Sequence, residues 1–294
     1  MNMNIRNIGI TSPGDMGQAV ALRLKNAGFG VYTSLTGRSA RTRELAAAAG
    51  VTDCGTVREL VAHVDVVLSI LNPAAAIDKA KEVAGAIAAS GKPLPFIDCN
   101  ATAPETMKTI DGILRTAGGR CVDAGIIGPP PRGENGVRIY VSGPDAGVAS
   151  ALACKGLEFR NAGTDIGDAS ALKMCYASIT KGAIALGVEL FVTAQRLGVL
   201  DVVNQELAES QGTLMKWLEA RTLPFPSKAY RWVPEMNEIA RTFSDAGLTP
   251  RMLEGAADVF EFVAQNPIGK ESPEEARVKN RSFEEIIRAL AGNQ

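Results

Sequence analysis

One pattern constrains the fold more than any other: in the first half of the chain, short β-rich runs alternate with alanine-rich stretches. The β-rich runs are residues 7–11, 30–35, 64–71, 94–98, 120–124 and 137–142; helical stretches at 16–27, 42–49, 74–89 and 104–117 separate the first five. Regular alternation of this kind predicts βαβ units and a parallel sheet. The run 64–71 is nearly all apolar, as expected of a strand covered on both faces.

After about residue 164 the texture changes. Residues 169–197 are helix formers without a proline, and the pattern stays helical to the end. Breaks fall at Thr222-Leu223-Pro224-Phe225-Pro226, Leu248-Thr249-Pro250 and Asn266-Pro267. Ser272-Pro273-Glu274-Glu275 reads as an N-cap, a proline at the first helical position and acids facing the helix dipole. At 294 residues the chain suits two domains. The expected fold is α/β: a Rossmann-like dinucleotide-binding domain over residues 1–162, followed by an all-α domain over 163–294 for substrate and dimerisation.

The first strand runs into Gly9-Ile10-Thr11-Ser12-Pro13-Gly14-Asp15-Met16-Gly17 and then a helix. In a dinucleotide fold the middle glycine of G-x-G-x-x-G lets the backbone approach the pyrophosphate, and the last permits close helix–strand packing. Gly14 and Gly17 take those places, while Ser12 stands where the first glycine would be. Ser12, Pro13, Gly14, Asp15, Met16 and Gly17 are therefore the candidate phosphate loop, and without a following Gly-Lys-Ser/Thr it is not a P-loop. The end of the second strand discriminates between cofactors. An NAD site usually places a carboxylate there, whereas a 2′-phosphate calls for arginine. The chain reads Leu35-Thr36-Gly37-Arg38-Ser39-Ala40-Arg41-Thr42, with no acid until Glu44. Gly37, Arg38, Ser39 and Arg41 are thus expected to read a phosphate, which makes the cofactor NADP(H).

Composition narrows the remaining chemistry. With 31 basic against 32 acidic residues, no electrostatic footprint for nucleic acid or a membrane surface is expected. The stretch Met1-Asn2-Met3-Asn4-Ile5-Arg6 lacks the apolar core of a signal peptide, and no uninterrupted apolar run is long enough to span a bilayer. Cys54, Cys99, Cys121, Cys154 and Cys175 form no CxxC pair and read as reduced thiols of a cytoplasmic protein, with no metal site. The single histidine, His63, sits just before an apolar run and is read as structural or surface. Proton transfer then falls to Lys, Tyr, Asp or Glu.

Four stretches resemble the β-hydroxyacid dehydrogenase superfamily, which holds 3-hydroxyisobutyrate and 6-phosphogluconate dehydrogenases and the imine reductases. They are residues 8–17, Phe96-Ile97-Asp98-Cys99-Asn100-Ala101-Thr102-Ala103-Pro104, Val122-Asp123-Ala124-Gly125-Ile126-Ile127-Gly128-Pro129-Pro130 and Gly167-Asp168-Ala169-Ser170-Ala171-Leu172-Lys173. Within the superfamily the chain looks closest to the branch with a phosphogluconate-dehydrogenase-like helical C-terminal domain. The resemblance implies a nucleotide loop at the first stretch, a substrate loop at the second and third, and a catalytic lysine, Lys173, on a long interdomain helix. Gly125, Ile126 and Ile127 stand in the substrate loop, but Ile127 replaces a common serine. One turn after Lys173, Ala177 replaces a common asparagine, so that contact is either missing or supplied by another group, such as Tyr176 or a residue of the second domain.

Lys173 lies on an otherwise apolar helical stretch at the expected domain junction. Partial burial would draw its pKa toward neutrality; the bland alternative is a lysine snorkelling along the helix. Lys181, two turns on, is a weaker competitor. Asn100 and Thr102 follow strand five, where open α/β sheets bind ligands, and Leu71 and Asn72 are similarly placed after strand four, facing the cofactor. Pro129-Pro130-Pro131 is read as a rigid wall. In the second half, Arg231 is a candidate carboxylate clamp with Trp232 as an apolar wall, and a dimer-interface anchor is the equal alternative. The expected activity is NADP(H)-linked interconversion of a small carbonyl compound and its β-hydroxyacid-like hydroxyl form, in a homodimer. An imine reductase or reductive aminase is the alternative, and a sensor or scaffold without turnover the outside one.

Overall fold

The computed structural model describes residues 4–292; Met1, Asn2 and Met3 of the N-terminal stretch lie outside them. The chain divides into two compact units, 1–174 and 175–294.

The first unit holds β1 (Asn7–Ile10), α1 (Asp15–Asn26), β2 (Gly30–Thr33), α2 (Ala40–Ala48), β3 (Thr52–Asp53), α3 (Val57–His63), β4 (Val66–Ser69), α4 (Ala76–Ser90), β5 (Pro95–Asp98), α5 (Pro104–Thr116), β6 (Arg120–Ile127), β7 (Val137–Ser142) and β8 (Leu157–Asn161). They form one sheet in the order β3-β2-β1-β4-β5-β6-β7-β8. All neighbours pair in parallel except β6 and β7. Alternating side chains feed two separate cores. Val66, Leu68, Ile97 and Val122 join one with α1 and α2; Val67, Phe96 and Cys121 join the other with α3, α4 and α5. Both faces are covered, so the central strands read as continuous apolar runs. Strand order reverses between β1 and β4, the switch point beside which such sheets bind ligands.

Three short elements escape the sequence pattern. β3 has two residues and β8 five, both at sheet edges. α3 spans seven residues, too few to show a helical period, although its Thr56/Glu59 capping box is present.

α6 (Asp168–Arg196) runs from the first unit into the second. The expected division at 162/163 thus shifts to 174/175. The opening turns of α6 belong with the sheet because hydrogen bonds to β6 clamp them, as described below. By length and composition α6 could cross a membrane, a property hidden from a search for uninterrupted runs because Lys173 and Lys181 break it.

The second unit adds α7 (Leu200–Ser210), α8 (Gly212–Thr222), α9 (Ala229–Asp245), α10 (Arg251–Gln265), α11 (Pro273–Lys279) and α12 (Phe283–Ala291). The proline-bearing breaks fall between helices as expected, and Ser272 caps α11 in a capping box with Glu275. Phe191, Ala194, Leu200, Leu218, Phe283 and Ile287 form a core cluster. Phe225, Trp232 and Phe260 form a second, aromatic one.

Candidate active site

The glycine loop follows β1 directly. A Cβ at Gly17 would lie 2.1 Å from the Ser12 carbonyl oxygen, so only glycine lets α1 start so close to the strand. A Cβ at Gly14 would meet nothing within 4 Å. Gly14 is the N-cap of α1 and offers no side-chain cap, which leaves the first-turn N–H groups for a ligand. A cradle of this kind fits a dinucleotide pyrophosphate.

Beside it, Arg38 donates from Nη2 to the Thr11 carbonyl, 2.9 Å away, and so lies across the gap between β2 and the β1 loop. Gly37 has φ +71°, and Arg41 is half-buried. Ser39 caps α2 by accepting from Thr42 N. Sequence reasoning passes over Arg43, which donates to the carbonyls of Leu35 (2.7 Å) and Arg38 (3.3 Å) and stiffens this loop. One carboxylate, Asp53, reaches this end from β3, but its Oδ1 accepts from Leu35 N and Gly55 N.

The ends of β4 and β5 are tied by Asn100. Its Oδ1 accepts from Leu71 N at 2.7 Å, and its Nδ2 donates to Ser69 Oγ and Asp98 Oδ2, each at 3.0 Å. The side chain is thus a clasp that shapes the loop, not the free ligand expected from its position. Asn72 likewise caps a 3-10 turn through Ala74 N. Asp98 is fully buried; lost solvation, with the Asp123 charge adding to it, pushes its pKa up to about 7 against the hydrogen bonds from Asn100. Thr102 is fully buried, and its hydroxyl has no partner among the described residues.

Asp123, aligned with Asp98 on the next strand, organises the start of α6. Its Oδ2 accepts from Gly167 N (2.9 Å), Ser170 N (3.0 Å) and Ser142 Oγ (3.0 Å), and its Oδ1 from Ser170 Oγ (2.7 Å). Burial raises its pKa while these donors hold it down. The clamp sets Lys173, itself half-buried, against β6: a Cβ on Gly125 would stand 2.8 Å from the Lys173 Cβ and 3.0 Å from the Ala169 carbonyl oxygen. Gly125 is thus what lets the lysine-bearing turn touch the strand. Ile126 packs into the larger core cluster and Ile127 is buried, and both lie on β6 and not in the expected substrate loop. The signal for Asp98 and Asp123 was visible as an acid inside each of two apolar strands.

In the second unit, Tyr176 is exposed and Ala177 buried. Lys181 pairs with Glu235 at 2.7 Å and lies over the Trp232 ring at 5.2 Å; it is a packed ion pair, not a surface competitor to Lys173. Trp232 stacks on Phe225 at 5.3 Å and meets Phe260 edge-on, so it is core before it is wall. Arg231 lies over Tyr230, and its buried Nε has no partner among the described residues.

Comparison with known proteins agrees with this arrangement. Residues 7–154 match the NAD binding domain of 6-phosphogluconate dehydrogenase, and residues 194–263 match a domain of unknown function. A conserved protein of unknown function, described as structurally similar to 3-hydroxyacid dehydrogenases, is 29% identical over 94% of this chain and all of its own, with a TM-score of 0.64. 3-Hydroxyisobutyrate dehydrogenase of Mycobacterium tuberculosis, solved with L-serine, shares the fold at 19% identity (98% and 100% covered, TM-score 0.70). So does a reductive aminase of Aspergillus terreus, solved with NADPH and ethyl levulinate (18% identity, 95% and 100% covered, TM-score 0.54). The strand order, the glycine cradle and the match over half the chain place this protein in the family built on the NAD binding domain of 6-phosphogluconate dehydrogenase.

Proposed function

We propose that this protein is an NADP(H)-dependent oxidoreductase that interconverts a small carbonyl compound and its hydroxyl form, with a β-hydroxyacid-like substrate. The observation that carries the reading is the seating of Lys173, pressed on Gly125 by the Asp123 clamp. The bound nicotinamide would supply the hydride exchange. Lys173 would hold a proton at the substrate oxygen, giving it up on reduction and taking it back on oxidation. The unsatisfied Thr102 hydroxyl would bind a polar group of the substrate, while Arg38 and Arg41 would bind the 2′-phosphate. Tyr176, on the same helix as Lys173, would stand in for the asparagine that Ala177 replaces. The five cysteines are free thiols, which suits a cytoplasmic enzyme. Exposed Ile179 and Leu186, about two turns apart on α6, offer a second copy an apolar stripe in a homodimer.

The buried Ala177 also favours a second reading, reduction of C=N bonds, because no amide at that position holds a hydroxyl group. Purified protein screened with NADPH or NADP⁺ against hydroxyacids, ketones, aldehydes and ketone–amine mixtures, by nicotinamide absorbance, separates the two. Turnover is expected with hydroxyacids or carbonyl compounds, and Lys173→Met should lower it about 10²–10⁴-fold with cofactor affinity kept. Turnover of the variant within a few-fold of wild type, with an unchanged pH profile, would overturn the role of Lys173.

A further inference from the structure

The loop that follows β6 carries an arginine to the mouth of the glycine cradle, in a position that the nicotinamide reading does not explain. Pro129, Pro130 and Pro131 stiffen the start of this loop. Arg23 of α1 then braces it, donating from Nε to the Pro131 carbonyl at 3.1 Å and from Nη2 to the carbonyls of Gly133 and Asn135. Between these anchors stands Arg132. Its Nη2 donates to the Asp15 carboxylate at 2.6 Å and to the Asp15 carbonyl at 3.4 Å. Its Nε and Nη1 have no partner among the described residues, and its side chain is about half exposed, at 46%.

Asp15 is the first residue of α1, where a pyrophosphate would sit on the helix N-terminus. A carboxylate there opposes a diphosphate, and pairing with Arg132 removes most of that repulsion. The guanidinium fork still holds unused donors beside the cradle, and planar forks match phosphate oxygens well. We infer that Arg132 is a diphosphate-binding residue of the dinucleotide site, held over the cradle by the Arg23-braced proline loop and paired with Asp15 until the cofactor arrives. The inference rests on the dinucleotide reading above but not on the choice between NADP(H) and NAD(H).

The test is calorimetric titration of the intact protein with whichever of NADP⁺ and NAD⁺ binds more tightly, and with adenosine 2′-monophosphate, which has no diphosphate. Arg132→Ala should weaken dinucleotide binding about tenfold or more and leave the monophosphate unchanged, whereas Arg38→Ala should weaken the monophosphate as well. Asp15→Asn added to Arg132→Ala should recover only part of the loss, because neutralising the acid does not replace the missing donors. Arg132→Gln carries the same expectation if truncation unfolds the loop, as a thermal melt would show. Unchanged dinucleotide affinity, an equal loss for the monophosphate, or full rescue by Asp15→Asn would overturn the inference. A wild-type protein that binds neither dinucleotide would instead overturn the reading beneath it.

Discussion

In the proposed reading, one side chain at the end of β2, Arg38, would set which cofactor is welcome. Its bond to the Thr11 carbonyl and the support of its loop by Arg43 hold the guanidinium near where a 2′-phosphate would lie. Arg38→Ala should weaken NADP(H) binding by about 1.5–3 kcal/mol, the scale of a charged hydrogen bond, and barely change NAD(H). Titrations of both cofactors check this, and equal wild-type affinity for NAD(H) would refute the 2′-phosphate assignment. Asn100 teaches the opposite lesson. Its position after β5 looks like a ligand position, yet its side chain is fully engaged within the protein. Sequence gives position, and only neighbours reveal whether a polar group is still available.

At the scale of elements, the start of α6 is the decisive joint. Asp123 on β6 accepts four hydrogen bonds from Ser142, Gly167 and Ser170, so the helix cannot drift from the strand without leaving buried donors unmatched. Asp123→Ala should destabilise the protein by about 2–5 kcal/mol, since at least two main-chain N–H groups lose their acceptor in the interior. Urea unfolding would measure the loss, and faster amide exchange across residues 167–173 would locate it. If stability falls but exchange there stays slow, the clamp is elsewhere. The long helix was legible in the sequence as a proline-free run. The clamp was not, because its members are far apart in the chain and meet only when β6, β7 and α6 come together.

For the whole molecule, two measurements matter. Asp98 has a folded pKa of about 7, well above the roughly 4 of an exposed carboxyl. The folded state therefore binds more protons than the unfolded one between these values. This contribution to stability is complete below about pH 4 and is lost as the pH rises through 7. Raised by the same cause, Asp123 acts with the same sign. Urea midpoints should thus fall between pH 5 and pH 8, and Asp98→Asn should flatten that fall; an unchanged slope in the variant would show that Asp98 is not its source. The second measurement is sedimentation. A homodimer is expected at micromolar concentration, and a stable, fully active monomer would refute it.

The sequence by itself determined the alternating architecture, the glycine loop and the start of the helical half. Those properties are local: period, propensity and a backbone that only glycine can follow. Short edge elements such as β3 and β8 stayed hidden because a few residues carry too little period to read. Tertiary structure alone decided that Lys173 rests on Gly125, that Asn100 is a clasp, that Lys181 pairs with Glu235, and that Arg132 reaches Asp15. Each joins groups separated by dozens of residues, and a charge or an amide acquires its role from whatever the packed chain sets within about 3 Å of it.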